Sequence, residues 1–240
     1  ADDAMTGGHD MNGSTIELVD GAGNAFDAYL SEPPEGSGPG IVVGLDIYGL
    51  RPTYQKMADM FAERGYIVLV PDIFWDVEPV ADVNTLGQEV SNYRTTLNMQ
   101  TCIEATRTAM GALGDVPFCT GGIGVIGFCL GGNLAYLGAT RLGAGAAASY
   151  YGTRIHTFLD EVDKAGCPTL LHMAEHDSTY GDEDRDRILD AVRDSELIQT
   201  HVYEAPHGFA NFDSPDVHDQ AATARAHERT FELFDRVLKG

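Results

Sequence analysis

The sequence predicts an α/β fold built on a mostly parallel sheet. Three observations carry that expectation. Short continuous apolar runs bounded by Gly and Pro read as buried parallel strands. Helix-patterned segments alternate with them along the chain. An opening pair of period-two segments adds antiparallel strands at one edge of the sheet.

In chain order, "STIELVD" and "NAFDAYLSE", split by "GAGN", form the hairpin. "GPGIVVGLD" is a buried strand, and "PTYQKMADMFAERG" a helix with proline at its start and glycine at its close. "YIVLVPD" is the next buried strand. The region from about Pro79 to Leu113 carries one long or two shorter helices. "IGVIGF" is a strand, followed by the small-residue helix "LGGNLAYLGATRL". "AAASYYG", "PTLLHMAEHD" and "QTHVYEA" are strands, with the helix "DEDRDRILDAVRD" between the last two. "DVHDQAATARAHERTFELFDRVL" closes the chain as a long amphipathic helix.

The 240 residues, 43% of them hydrophobic, support one sizeable core and no second domain with a linker. Residues 1–12 read as an acidic tail and 13–240 as a single domain. The tail is the opposite of a basic-then-apolar leader. No apolar run nears the ~18 residues of a membrane span, so a soluble protein is expected. A formal charge of −22 argues against nucleic acid or an anionic membrane as partner, since both are polyanions. Lysine is confined to Lys56, Lys164 and Lys239. Surplus acid with scarce lysine fits a salt-adapted cytoplasm, and an acidic mesophilic protein equally. The four cysteines, at 102, 119, 129 and 167, form no C-x-x-C pair, so neither a zinc site nor a disulfide framework is expected, and a reducing cytoplasm is the default setting. Cys102 reads as a helix core residue, Cys119 as a loop residue and Cys167 as the entry to a strand.

Cys129 is different. It sits in "GFCLGG", where Gly122, Gly124 and Gly127 happen to match a dinucleotide fingerprint. That fingerprint needs its glycines after the strand and an acidic residue about 20 positions on. Here the glycines precede or lie within the strand, and no Asp or Glu occurs from Phe128 to Thr157. The other reading is a nucleophile elbow, in which the residues two before and two after the nucleophile must be small enough for the chain to fold back. Gly127 and Gly131 meet that need, at a strand-to-helix junction whose dipole favours negative charge on sulfur.

A nucleophile needs a base and an orienter. Asp177 and His207 follow Cys129 in that order, each just after a strand, where open α/β sheets place their sites. Other histidines compete less well. His172 lies within a strand, His201 at a strand start, His218 and His227 on the solvated last helix, His9 in the tail and His156 in a loop without a motif. His176 adjoins the acid but points away from it. An ordinary imidazole would make activity fall below about pH 6.5.

Cys129 in "GFCLGG", Asp177 in "EHD" and His207 in "PHGFA", together with "GLDIYGL", "VPDIF" and "YYG", resemble the dienelactone hydrolase family, the cysteine branch of the α/β-hydrolases. The resemblance spans nearly the whole chain. It implies a sheet of about eight strands flanked by helices, no large lid domain, and hydrolysis of a carboxylic ester or lactone through a thioacyl-enzyme. It implies Cys129 as nucleophile, His207 as proton carrier and Asp177 as its orienter. Backbone N–H groups of Leu130 and Ile47 would bind the oxyanion, and no metal or organic cofactor is required. The partner is a small-molecule ester or lactone, the protein a monomer or homodimer.

Three departures stand out. Asp46 replaces a glutamate that in the family contacts the resting thiol. Asp76 and Asn211 replace two arginines that hold the substrate's carboxylate, with Arg51 and Arg154 as conceivable substitutes. With Trp75 and Tyr151 these positions outline a substrate pocket, and their lost positive charge predicts a preference for substrates without a free carboxylate. Alternatives are a broad arylesterase or thioesterase on the same residues, and a hydrolase-fold protein that only binds a small molecule.

Overall fold

The computed structural model describes residues 12–77 and 97–240. Residues 1–11 of the acidic tail and 79–96 of the stretch assigned to helix after Pro79 therefore lie outside the described residues, while the rest of that stretch is helical from Met99. Eight strands form one sheet: β1 (Ser14–Val19), β2 (Ala25–Ser31), β3 (Gly38–Gly44), β4 (Ile67–Pro71), β5 (Cys119–Phe128), β6 (Ala146–Tyr150), β7 (Thr169–His176) and β8 (Ile198–Pro206). Their spatial order is β1-β2-β4-β3-β5-β6-β7-β8, antiparallel at β1–β2 and β2–β4 and parallel from β4 onward. β3, β4 and β6 are buried along their whole length, as strands covered on both faces must be. Cys119 opens β5 instead of lying in a loop.

The helices are α1 (Pro52–Ala62), α2 (Met99–Asp115), α3 (Leu130–Leu137), α4 (Asp182–Val192) and α5 (Gln220–Leu238). The side chains of Asn98 and Asp219 cap α2 and α5 by accepting from the N–H groups of Gln100 and Ala222. A wide turn over Gly138–Leu142 continues α3. No lid domain is inserted among the described residues, and no helix there is long and apolar enough to cross a membrane.

The order in which strands are added reverses at β3: β4 lies on one side of it and β5 on the other. Loops leaving β3, β5, β6, β7 and β8 therefore meet above the carboxyl ends of neighbouring strands, where such sheets hold their ligands.

Beneath that edge lies a buried polar cluster between the sheet and α5. His172 bonds the Tyr203 hydroxyl and Thr230 Oγ1, both at 2.9 Å, and Tyr150 Oη joins Thr230 Oγ1 (2.8 Å) to His227 Nδ1 (2.9 Å). His172 is thus a core residue, as its strand position implies. His227 corrects the sequence reading: it faces inward, while His218 precedes α5. Burial, with further repulsion from His201, His227 and Arg229, holds His172 well below the usual imidazole range. Burial first, then Arg64 and His218, pulls His227 down to about 4.

Both groups therefore bind fewer protons folded than unfolded as pH falls from about 6.5 toward 4. Stability should drop across that window, by about 1.4 kcal/mol per pH unit for each group that stays neutral. Melting temperature measured between pH 7 and 5 should fall, and fall less steeply in His227→Gln. Equal slopes would show that His227 has no part in acid unfolding.

Candidate active site

Cys129 occupies the turn between β5 and α3 with φ 56° and ψ −115°, a conformation that side chains with a Cβ rarely adopt. The chain around it is locked. Cys129 N–H donates to Tyr150 O, and its own carbonyl accepts from the N–H groups of Gly132 and Thr153, all at 3.0 Å. The flanking glycines are sterically required. A Cβ on Gly127 would lie 1.8 Å from Gly131 O, and one on Gly131 would lie 2.1 Å from the Gly44 carbonyl. The two glycines let α3 descend directly onto β3 and β5.

His207 leaves β8 and Asp177 leaves β7. His207 Nδ1 stands 2.8 Å from Asp177 Oδ2, and the Asp177 side chain is 1% exposed. Thr179 holds the acid's other oxygen, donating from its backbone N–H (2.8 Å) and from Oγ1 (2.6 Å). This Asp-x-Thr turn has a visible sequence signature in "DST", which reading for the triad alone passes over. Burial opposes charge on His207, but hydrogen bonds to Asp177 and Cys129 outweigh it and raise the imidazole to about 10. Cys129, His207 and Asp177 are thus one connected group, and the ordinary imidazole value of the sequence reading does not apply.

A cavity of about 200 Å³ opens over the sulfur, lined by Ile47, Leu97, Cys129, Leu130, Thr153, Arg154 and Thr179. The backbone N–H groups of Ile47 and Leu130 have no partner among the described residues, and both residues border the cavity.

The other expected pocket positions lie elsewhere. Tyr151, at φ 40°, is buried with its ring edge-on to His207 at 5.0 Å and supports the imidazole from beneath. Trp75 stacks on Phe26 of the hairpin at 6.0 Å and lines a separate depression. Asp76 accepts from Thr101 Oγ1, and Asn211 donates to Ser214 Oγ. None of these four borders the Cys129 cavity among the described residues. Asp46 does not bond Cys129: both its oxygens are taken by the Arg51 guanidinium at 2.8 Å. Arg154 was the one conceivable substitute that does border the cavity. Its guanidinium has no ion-pair partner among the described residues, while its carbonyl is held by Thr157.

The dienelactone hydrolase family profile matches residues 26–238. A carboxymethylenebutenolidase of Pseudomonas sp. is 31% identical over 220 residues, covering 90% of this chain and 92% of the relative. One of Cupriavidus pinatubonensis is 28% identical, covering 91% and 94%. Among solved structures, a dienelactone hydrolase-like promiscuous phosphotriesterase from metagenomic libraries superposes with a TM-score of 0.75 at 20% identity, over 95% of this chain and 99% of that one. With its eight-stranded sheet, its cysteine elbow and this match along nearly its full length, the chain belongs to the dienelactone hydrolase family.

Proposed function

We propose that the protein hydrolyses a carboxylic ester or lactone with Cys129 as nucleophile. The observation that carries this is the cavity bordered by Cys129 and by Ile47 and Leu130, whose backbone N–H groups have no partner among the described residues, next to the His207–Asp177 hydrogen bond. In the first half-reaction the Cys129 thiolate adds to the carbonyl carbon, and the carbonyl π electrons move onto oxygen. That oxyanion accepts hydrogen bonds from Ile47 and Leu130 N–H. Collapse breaks the bond to the alkoxide, which takes a proton from His207, leaving a thioester on Cys129. In the second half-reaction water gives a proton to His207 and adds to the thioester. The second collapse releases the carboxylic acid and restores the thiolate beside protonated His207. With a lactone, the alcohol and acid leave as one molecule. Asp177 holds the imidazole with Nδ1–H toward itself throughout.

Every proton and electron pair in this sequence belongs to a side chain, the substrate or water, so the chemistry calls for no cofactor. The reading carries a cytoplasmic setting, supported by four free cysteines, and a small-molecule substrate. A panel of chromogenic esters and unsaturated lactones, assayed with the native protein and with Cys129→Ala, tests it. Loss of hydrolysis in the variant supports it, and hydrolysis of none of the panel by native protein counts against it.

The preference for uncharged substrates rested on Asp76 and Asn211, and neither borders the cavity. Among the described residues that line the cavity, Arg154 is the one Lys, Arg, Asp or Glu, and its charge favours a substrate carrying a carboxylate. Arg154→Ala should lower kcat/KM for a carboxylate-bearing ester about tenfold, the order of one charge-assisted hydrogen bond. The methyl ester of the same compound should change less than about twofold. Equal losses on both would remove Arg154 from specificity.

A further inference from the structure

Arg51 stands where local rules disfavour it. It is the N-cap of α1, in extended backbone at φ −136° and ψ 169°, and makes no side-chain capping bond. Ser, Thr, Asp and Asn serve that position, and a cation there opposes the positive end of the helix dipole. A residue that breaks a local rule needs a compensating role.

The compensation is visible in its contacts. Nη1 and Nη2 donate to the two oxygens of Asp46, both at 2.8 Å, while Tyr48 N–H donates to Asp46 Oδ1 at 3.0 Å. Gly49 N–H donates to the Asp46 carbonyl. The guanidinium also lies 5.1 Å and 5.3 Å from the ring centres of Tyr48 and Tyr54, and the Tyr54 hydroxyl accepts from Asp46 N–H. The pair thereby closes the short loop that carries Ile47 N–H. From Arg51 the chain of contacts continues outward. Nε approaches Thr53 Oγ1 at 3.4 Å, and Thr53 Oγ1 donates to Asp213 Oδ2 at 2.7 Å. Asp213 belongs to the loop that follows His207 and is also paired with Lys56 at 3.6 Å.

The geometry points to Arg51 as a positioning residue for the hydrolysis: it holds the Ile47 loop against the His207 loop and cancels the Asp46 charge beside the oxyanion donor. This rests on the proposed nucleophile and oxyanion contacts. Without Arg51, an almost fully buried carboxylate would stand unpaired one residue from the N–H that must meet developing negative charge. That opposes the transition state more than the neutral ground state, so the loss belongs in kcat.

The test uses the full chain and p-nitrophenyl acetate, a neutral substrate that makes no ion pair with Arg51. Arg51→Met should lower kcat on the order of 30-fold with KM within about twofold, the scale of a misplaced donor. Arg51→Lys, which keeps the charge but loses the fork, should recover at least about a third of native kcat. The double variant Asp46→Asn with Arg51→Met should lie above Arg51→Met alone, because no unpaired charge remains. If Arg51→Met does not fold, Thr53→Val carries the test, since it removes the hydroxyl that joins Arg51 Nε to Asp213 while keeping the Asp46–Arg51 pair, and should lower kcat about threefold at unchanged KM. Native kcat in the variant that folds, or a loss confined to KM, would overturn the assignment. An active Cys129→Ala would instead overturn the nucleophile, which keeps the two failures distinct.

Discussion

Cys129→Ala should lower kcat on a chromogenic ester at least ~10³-fold, the order expected for removing a nucleophile. Alanine keeps the Cβ and hence the backbone strain of the turn, so the loss reads chemistry and not folding. The remaining thiols offer no replacement. Burial pushes Cys102 up to about 12 and raises Cys119 and Cys167, and none of the three borders the cavity. For the same reason iodoacetamide should modify Cys129 ahead of the others, and peptide mapping after brief exposure would show the order. Near-native turnover in the variant, with an unchanged circular dichroism spectrum, would remove Cys129 from the mechanism.

The second large effect falls on His207. His207→Ala should lose activity on the scale of Cys129→Ala, and the double variant should be little worse than either single one, because the two residues act as a unit. Multiplicative losses would mean that they act separately. The pH dependence follows from the connected group. With bonds to Asp177 and Cys129 raising His207 to about 10, its proton is retained through neutrality. Activity should therefore not break near 6.5 as it would for an ordinary imidazole, but decline on the alkaline side as that proton is lost. A single acidic limb at 6.5 that vanishes in His207→Ala would contradict the raised value.

Much of this is legible in the sequence. Buried parallel strands announce themselves as continuous apolar runs and the edge hairpin as period-two alternation, and each of the eight strands overlaps a segment so marked. The elbow was legible because its steric demand falls on residue type: only glycine fits at 127 and 131. Asp177 and His207 were legible because each follows a strand directly, leaving little freedom in where it stands. Side chains in longer loops were not. Trp75, Asp76 and Asn211 were placed by likeness, yet Phe26 and Thr101, from other segments, and Ser214, within the same loop as Asn211, draw them elsewhere. His227 was misread because a helical period marks the edge of a buried face poorly. Tyr150 decides which way that ring turns. The Asp46–Arg51 pair was invisible because two neighbours on a loop share no fixed geometry until Tyr54 and Tyr48 fix it.

The left-handed backbone at Cys129 has an evolutionary consequence. Glycine would sit at that φ and ψ without strain, so the backbone conformation by itself disfavours a side chain there. Selection for catalysis and selection for stability therefore pull in opposite directions at one codon. On the proposed reading, a lineage released from hydrolysis should drift toward glycine at this position, and cysteine is expected only where the reaction is kept.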